Sequence, residues 1–378
     1  MKETIVFGAP YLDDDMIAEV VSCLRSGWWQ AGPRVERVEA EVRRRTGANY
    51  CVAVSSATAG IHLVLKALRI GESMDGVDEV ITSPICWASV PGAIELAGAR
   101  PIFTDVDPYT GNLDPRAVAG AITRRTRAIV PVHLAGRPCD MDAIMEIAQH
   151  HGIPVVEDAA HAFGASWRGR AIGTFGIAGV FSFNRAKNVA AAEGGAVVTN
   201  DERLASAVRL LAHGGVSRSS WERFSFVRDY EVVSAGLNCK MPDLAAAMIL
   251  PQLVRFEELQ AHRATLWALY DRMLCYLPIS LPAKWDERTT HAMHLYQVRL
   301  PAAIDRDRVR ASMCERGVGT GIHYRPLHQE PHYRVSFRPS LSGAEEFGST
   351  TLSLPFSVRV TESDVLTVSR VLEEALSC

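Results

Sequence analysis

Between residues 50 and 158, short apolar runs alternate with amphipathic segments in a regular β–α order. The apolar runs cover residues 50–55, 79–83, 101–105, 128–132 and 155–157. Near-continuous apolar strands are typical of a parallel sheet that helices cover on both faces. The sequence therefore predicts an α/β fold with a mainly parallel central sheet flanked by helices.

The length of the chain, 378 residues, exceeds that of one ordinary domain. A helical pattern over residues 242–276 leads into a region with strand patterns near residues 293–300 and 352. We expect a large α/β domain over residues 1–250, including an N-terminal helical segment. A smaller α+β domain is expected over residues 251–378.

Composition and charge exclude several classes of function. A net charge of −3 gives no electrostatic reason to expect binding to nucleic acid or to an anionic membrane. No apolar run reaches the roughly 18–20 residues of a membrane span, and the N-terminus lacks a signal-peptide core. The eight cysteines are scattered without C-x-x-C spacing, which argues against zinc and a disulfide framework. We therefore expect a cytoplasmic protein with no bound metal.

Two polar groups stand out in the apolar stretch from residue 154 to residue 200. Asp158 ends an apolar strand pattern, and Lys187 follows a second apolar run over residues 179–183. Ligands of parallel sheets bind at the carboxyl ends of strands, where Asp158 is expected. An acid and a lysine in this setting suit the ring-nitrogen partner and the imine-forming amine of pyridoxal 5′-phosphate (PLP).

The use of lysine supports a chemical role for Lys187. The chain has only five lysines against 35 arginines, and the residues that flank Lys187 are mostly apolar or small. An arginine cannot form an imine or lose its proton near neutral pH, whereas a desolvated lysine can do both. The alternative is a solvated loop charge, which is the usual setting of a lysine.

Three further features are candidates for ligand contacts. Residues 55–60, SSATAG, precede a helical pattern, and small residues at a helix start leave N–H groups open to a phosphate. Thr58 would add a hydroxyl, although Ser and Thr cap many helices that bind nothing. Trp87 follows a strand and would stack on a pyridine ring, unless it packs in the core. Trp29, in a turn-rich segment, faces either a ligand or the underside of its loop.

With these residues placed, the chain resembles the DegT/DnrJ/EryC1/StrS family of PLP-dependent nucleotide-sugar aminotransferases, which have the type I PLP-transferase fold. The resemblance covers nearly the whole chain. Its motifs are GPRVERVEAEV, SSATAG, GARPIFTDVD, RAIVPVHLAGRPCDMD, EDAAHAFGA, FSFNRAKN, EGGAVVTND, LNCKMPDLAAA, GVGTGIHY and LSLPF. Within the family, the motifs are most similar to those of enzymes that aminate C4 of nucleotide-linked 4-keto sugars.

The resemblance implies a role for each residue that matches a family position. Lys187 corresponds to the Schiff-base lysine and Asp158 to the carboxylate beside the pyridine nitrogen. His161 takes the place of the Gln or His beside the ring hydroxyl, and Trp87 that of the stacking aromatic. PLP and its amino form, pyridoxamine phosphate (PMP), are the implied cofactor forms.

The resemblance also implies contacts with the cofactor phosphate. Thr58, Ala59 and Ser182 match such contacts within one chain. Asn238 matches an asparagine that reaches the phosphate of the neighbouring subunit's cofactor. A homodimer with shared active sites is therefore expected.

Three departures from the family pattern concern the expected substrate side of the site. Lys240, two residues after Asn238, stands where the family often has Arg, and the family's Tyr is lost from the same motif. Asn184 stands where His is frequent. Leu134 and Ala135 replace a common His/Leu-Tyr pair.

Five residues are candidate substrate contacts, each with a purely structural role as the alternative: Trp29, Lys240, His323, Tyr324 and His328. The last three lie in GIHYRPLH, whose polar side chains would hold sugar hydroxyls or a diphosphate.

The expected reaction is the transamination of a dTDP- or UDP-linked 4-keto sugar, with an amino acid such as L-glutamate as donor. The Arg- and Ala-rich composition and the resemblance suggest the biosynthesis of an antibiotic sugar or a surface glycan. One alternative is a 3-keto sugar or a cyclitol as acceptor. Another is a related PLP-dependent sugar dehydratase, but these enzymes replace the Schiff-base lysine with histidine, whereas this chain has Lys187.

Overall fold

A central sheet of seven strands organises the part of the chain that the structure describes. The computed structural model describes residues 4–217, 230–334 and 340–377. The seven strands of this sheet are β1 (Tyr50–Val54), β2 (Glu79–Thr82), β3 (Arg100–Phe103), β4 (Thr126–Val130), β5 (Val156–Asp158), β8 (Ala178–Ser182) and β9 (Gly195–Thr199). Strands β6 (Ser166–Trp167) and β7 (Arg170–Ala171) form a separate small hairpin.

The order of the strands across the sheet is β3–β2–β4–β5–β8–β9–β1. Parallel bridges from Ile129 to Val155 and from Val132 to Asp158 join the two halves of the sheet. All neighbouring pairs are parallel except those of β9, which runs antiparallel to both β8 and β1. The prediction of a mainly parallel sheet is confirmed. Strand β9 was not predicted. Its antiparallel direction could not be predicted either, because the apolar pattern of a strand does not depend on the direction in which the strand runs.

Helices cover both faces of this sheet. In chain order the helices of the described residues are α1 (Asp14–Ser26), α2 (Pro33–Thr46), α3 (Ala57–Ala67), α4 (Ser89–Leu96), α5 (Pro115–Ala121), α6 (Met141–His151), α7 (Glu202–Ala212), α8 (Asp243–Val254), α9 (Phe256–Leu274), α10 (Arg306–Glu315), α11 (Ser342–Thr350) and α12 (Glu362–Leu376).

Successive residues of the strands belong to different hydrophobic cores. In β1, Val52 and Val54 pack with α3 and α4 in one core, whereas Cys51 and Ala53 pack with α2 and α6 in the other. This follows from the two-residue period of a strand, which sends neighbouring side chains to opposite faces. A sheet that is buried on both faces explains why its strands are apolar at nearly every position.

The predicted helical pattern over residues 242–276 is confirmed, but one break divides it. The pattern over residues 242–276 forms two helices, α8 and α9, with a break at Arg255 (φ −96°, ψ 14°). Arg255 is held there by ion pairs with Asp13 (2.7 Å) and Glu258 (2.7 Å). The apolar pattern continues across the break, so it did not reveal where the helix axis changes.

The C-terminal part has its own core around an antiparallel pair of strands, β10 (Tyr296–Arg299) and β11 (Thr351–Leu354). Helices α9, α10 and α12 pack on this pair. The predicted smaller α+β unit is confirmed as part of the fold, and its predicted boundary at residue 251 stays a prediction. Ile5 forms a parallel bridge with Val318, so the N-terminal segment also packs on this part of the chain.

No helix among the described residues is both long enough and apolar enough to span a membrane.

Candidate active site

A cavity of about 400 Å³ lies at the carboxyl edge of the sheet. Its wall includes the ends of β5 and β8, the start of α3, the loop that carries Lys187, and residues 323–324. The structure brings eight of the predicted residues together on this wall: Thr58, Trp87, Asp158, His161, Ser182, Lys187, His323 and Tyr324. These residues lie far apart in sequence, and the parallel order of the strands places them side by side.

Asp158 is the last residue of β5 and is only 5 % exposed. Its backbone is fixed on both sides, because its N–H donates to Pro131 (2.9 Å) and its carbonyl accepts from His133 N (3.1 Å). Oδ1 accepts a hydrogen bond from Ala160 N at 3.0 Å, and Oδ2 has no partner among the described residues. Burial raises the pKa of Asp158, an effect opposed by the Ala160 N–H and by the charge of Lys187. One carboxylate oxygen is thus available to a ligand.

Lys187 extends from the loop between β8 and β9. Its backbone N–H donates to Asn184 O at 2.8 Å, and the next residue, Asn188, donates to Ala292 O at 2.6 Å. Desolvation lowers the pKa of Lys187 to about 8, and the charges of Asp158 and Glu193 oppose this shift. The Lys187 amine forms no ion pair with the described residues. A lysine in this state can act as a nucleophile and can exchange a proton near neutral pH.

His161 is held as a neutral imidazole by its two hydrogen bonds. Nδ1 accepts from Ala135 N at 3.2 Å, so the ring proton lies on Nε2, which faces Tyr324 Oη at 3.2 Å. Burial lowers the pKa of His161 well below its usual value, and the nearby Lys187 charge acts in the same direction. His161 therefore offers a fixed N–H donor to Tyr324 and no positive charge.

The first turn of α3 provides free donors for an anion. Ser56 caps the helix by accepting from Ala59 N at 3.1 Å, while the N–H groups of Ala57 and Thr58 have no acceptor among the described residues. A Cβ at Gly195 would lie 2.6 Å from Ser56 C and 2.7 Å from Ala57 N. Only glycine therefore lets β9 approach this turn closely. The turn suits a phosphate group because of its free N–H groups and the helix dipole.

These groups fit PLP. An acid with a free oxygen, a desolvated lysine and a helix N-terminus share one cavity wall, as the ring nitrogen, aldehyde and phosphate of PLP require. Trp87 is 65 % exposed and lines the cavity, so it is not a core residue, and its stacking on a pyridine ring stays a prediction.

The comparison with known families agrees with this arrangement. The sequence pattern of the DegT/DnrJ/EryC1/StrS aminotransferase family matches residues 10–373. This chain belongs to that family.

Solved structures of similar proteins support the assignment to the DegT/DnrJ/EryC1/StrS family. The aminotransferase TlmJ from Streptoalloteichus hindustanus is 33 % identical, with a TM-score of 0.91 and 99 % of each chain covered. DesI, solved in the presence of its TDP-sugar product, is 33 % identical with a TM-score of 0.88, covering 100 % of this chain and 94 % of DesI. The putative sugar aminotransferase Spr1654 from Streptococcus pneumoniae, in its PLP form, is 27 % identical with a TM-score of 0.90, covering 99 % and 100 %.

Membership of this family confirms the expected fold, enzyme class and cofactor. The chain is a PLP-dependent sugar aminotransferase of the type I PLP-transferase fold. Spr1654 has been solved in both PLP and PMP forms, the two cofactor states between which a transaminase alternates.

Three predicted site residues of this family member lie outside the cavity wall and have partners elsewhere. Trp29 is 55 % exposed and donates to Leu24 O at 3.2 Å. The Ala59 N–H donates a hydrogen bond to Ser56 Oγ. His328 Nε2 lies 3.1 Å from Glu345 Oε1. Their ligand contacts stay predictions.

Asn238 and Lys240 also lie outside this wall. Lys240 Nζ donates to Asn238 Oδ1 at 2.6 Å, and Cys239 O accepts from Ser55 N at 2.7 Å. The segment thus runs beside the residue that precedes the cap of α3. The predicted roles of Asn238 and Lys240 stay predictions.

Phe7, Glu193 and His294 are among the cavity-lining residues that sequence reasoning missed. Phe7 stacks on His323, with ring centroids 5.3 Å apart. His294 Nδ1 lies 3.1 Å from Asn188 Oδ1 and so contacts the residue next to Lys187. Phe7 and His294 stand in no motif that marks a site, whereas Glu193 opens the EGG motif and was detectable.

Proposed function

We propose that this enzyme transfers the amino group of an amino acid, with L-glutamate expected, to the keto carbon of a nucleotide-linked 4-keto sugar. The observation that carries the transaminase chemistry is the desolvated Lys187 on the same cavity wall as Asp158. Support for the substrate comes from DesI, a 33 % identical family member described with a TDP-sugar product. The expected nucleotide is dTDP or UDP.

PLP supplies an electron sink for the carbon that loses or gains the amino group. The buried Asp158 holds a carboxylate oxygen for the protonated ring nitrogen, whose charge favours the ionised form of this acid. Ala57 and Thr58 hold N–H groups towards the phosphate. His161 and Tyr324 fix each other on the cavity wall beside Trp87.

Lys187 serves as the proton carrier of the reaction. A pKa of about 8, well below the usual value for lysine, leaves part of its amine unprotonated near neutral pH, so it can take a proton from carbon and return it. This role separates transamination from dehydration, for which related enzymes have a histidine at the matching position. The presence of Lys187 therefore favours the aminotransferase over the dehydratase.

We also propose a homodimer in which Asn238 reaches the cofactor phosphate of the neighbouring subunit. Asn238 is exposed and lies outside its own cavity wall. The same segment exposes four apolar side chains, which another protein surface would cover: Tyr230, Val232, Val233 and Leu237. A cytoplasmic location and a place in antibiotic or surface-glycan sugar biosynthesis remain predictions.

The acceptor is tested with a panel of dTDP- and UDP-linked 4-keto and 3-keto sugars and a cyclitol ketone. Each compound is added to enzyme that L-glutamate has converted to the PMP form. We expect 4-keto sugars to restore the visible absorbance of lysine-bound PLP. Restoration by 3-keto sugars or the cyclitol ketone alone would contradict the 4-keto assignment while leaving the transaminase chemistry intact.

A further inference from the structure

Glu193 is an exposed carboxylate on the same cavity wall as Lys187. It lies directly before Gly194 and Gly195, at the start of β9. Asn184, across the loop, donates from Nδ2 to Glu193 Oε1 at 2.8 Å, and its own Oδ1 accepts from Ala186 N at 3.3 Å. These two bonds fix the orientation of the Asn184 amide. Oε1 of Glu193 is thereby held in place, and Oε2 has no partner among the described residues.

The charge of Glu193 is unfavourable for most of the groups that this cavity must admit. Among the described residues of the wall, only Asp158 and Glu193 carry carboxylates, and Asp158 serves the ring nitrogen. The cofactor phosphate, the carboxylates of an amino-acid donor and a nucleotide diphosphate are all anions, which a carboxylate repels. The hydroxyl groups of a sugar are neutral donors, and a carboxylate accepts from them with a strong, charge-assisted hydrogen bond.

The position of Glu193 narrows the choice of hydroxyl. Asn184 links the two residues on this wall, because its carbonyl accepts from Lys187 N at 2.8 Å and its Nδ2 donates to Glu193 Oε1 at 2.8 Å. The Lys187 amine must reach the carbon that exchanges its amino group. The hydroxyl nearest to that point is the one on the adjacent carbon of the sugar ring.

We propose that Glu193 accepts a hydrogen bond from the sugar hydroxyl on the carbon next to the reacting carbonyl, and that Asn184 positions its carboxylate. This inference rests on the proposed function and defines its substrate class more closely. The acceptor is a keto sugar that retains this neighbouring hydroxyl, and sugars already deoxygenated there are poor substrates. Glu193 is thus a specificity-determining residue, and Asn184 is a positioning residue.

The test measures the two half-reactions separately in the intact holoenzyme. The probes are dTDP-4-keto-6-deoxyglucose and its 3-deoxy analogue, added to enzyme that L-glutamate has converted to the PMP form. The variants are Glu193→Ala and Asn184→Ala. Glu202→Ala is the matched control, because Glu202 is an exposed acid in the first turn of α7 and does not line the cavity.

We expect Glu193→Ala to lower kcat/KM for the hydroxylated sugar about 10- to 100-fold, as for a lost hydrogen bond to a charged group. For the 3-deoxy analogue, the variant and the wild type should be nearly equal, because no hydrogen bond is left to lose. The L-glutamate half-reaction should change much less, because no sugar hydroxyl takes part in it. Asn184→Ala should show the same pattern with a smaller loss, and Glu202→Ala should match the wild type.

Equal losses with both sugars would overturn the proposal, as would no loss with either sugar or a loss confined to the L-glutamate step. Failure of the proposed function gives a different result. In that case no keto nucleotide sugar restores the PLP absorbance of the wild type, and the inference falls with it.

Discussion

His161 Nε2 lies 3.2 Å from Tyr324 Oη, which links the loop after β5 to the C-terminal part of the chain across the cavity. Because His161 Nδ1 accepts from Ala135 N, only Nε2 carries a proton, and Tyr324 is its acceptor. The two rings lie 6.1 Å apart at an interplanar angle of 28°. The pair thus fixes one wall of the site without adding charge.

Replacing Tyr324 with Phe tests this link. Tyr324→Phe keeps the ring but leaves the His161 N–H, on a residue that is 7 % exposed, without its acceptor. We expect the free energy of unfolding to fall by about 1–3 kcal/mol, the usual cost of an unsatisfied buried donor. Urea denaturation of the cofactor-free protein measures this, with Tyr276→Phe, which alters an exposed tyrosine, as the control. Equal stability of the two variants would contradict the role of the pair.

The pH dependence of PLP capture tests the state of Lys187. The amine is the reactive form, and its fraction rises as pH increases through the pKa, which desolvation lowers to about 8. The rate at which cofactor-free enzyme forms the visible PLP complex should therefore rise with a midpoint near pH 8. Stopped-flow absorbance measures it.

Asp158→Asn tests whether the charge of Asp158 raises the pKa of Lys187. The charge of Asp158 raises the Lys187 pKa, so its removal should move the midpoint to lower pH. A midpoint near that of an ordinary lysine, about 10.4, would contradict the desolvated setting of Lys187.

Gly195→Ala tests whether the start of α3 is shaped for an anion. The added Cβ would meet Ser56 C at 2.6 Å and displace the turn that carries the free N–H groups. We expect PLP affinity to fall more than tenfold, about 1.4 kcal/mol or more, since phosphate contacts depend on this turn. Gly92→Ala is the control, because its Cβ would meet nothing within 4 Å. Equal PLP dissociation constants in fluorescence titrations would count against the phosphate assignment.

Mixed dimers test the proposed contribution of Asn238 to the neighbouring site. Lys187→Ala removes the lysine from its own site, whereas Asn238→Ala removes the side chain that we propose reaches the other subunit's site. Each variant alone should show low activity. A mixture that exchanges subunits should regain activity, because each mixed dimer has one site with both residues intact. A mixture no more active than its components would contradict the shared site.

The sheet and the two central candidate residues, Asp158 and Lys187, were readable from the sequence for related physical reasons. Strands buried on both faces must be apolar, so the β–α order was readable along the chain. Asp158 and Lys187 were conspicuous because charged groups are unusual in such surroundings. The structure brings them to one wall.

Other features depended on distant contacts and were not readable. The break at Arg255 depends in part on its ion pair with Asp13, more than two hundred residues away. Phe7 enters the site because the N-terminal segment pairs with Val318, and the sequence gives no sign of that pairing. The position of His328, with Nε2 3.1 Å from Glu345 Oε1 and outside the cavity wall, was likewise not readable, and its substrate contact stays a prediction.

Transamination through Lys187 is tested by the absorbance spectrum of the purified holoenzyme, recorded before and after addition of L-glutamate and then of dTDP-4-keto-6-deoxyglucose. We predict a visible band from PLP bound to Lys187, its loss on conversion to PMP by L-glutamate, and its return with the keto sugar. Lys187→Ala should lack this cycle. An enzyme that binds PLP through Lys187 but responds to no amino donor would contradict the aminotransferase function.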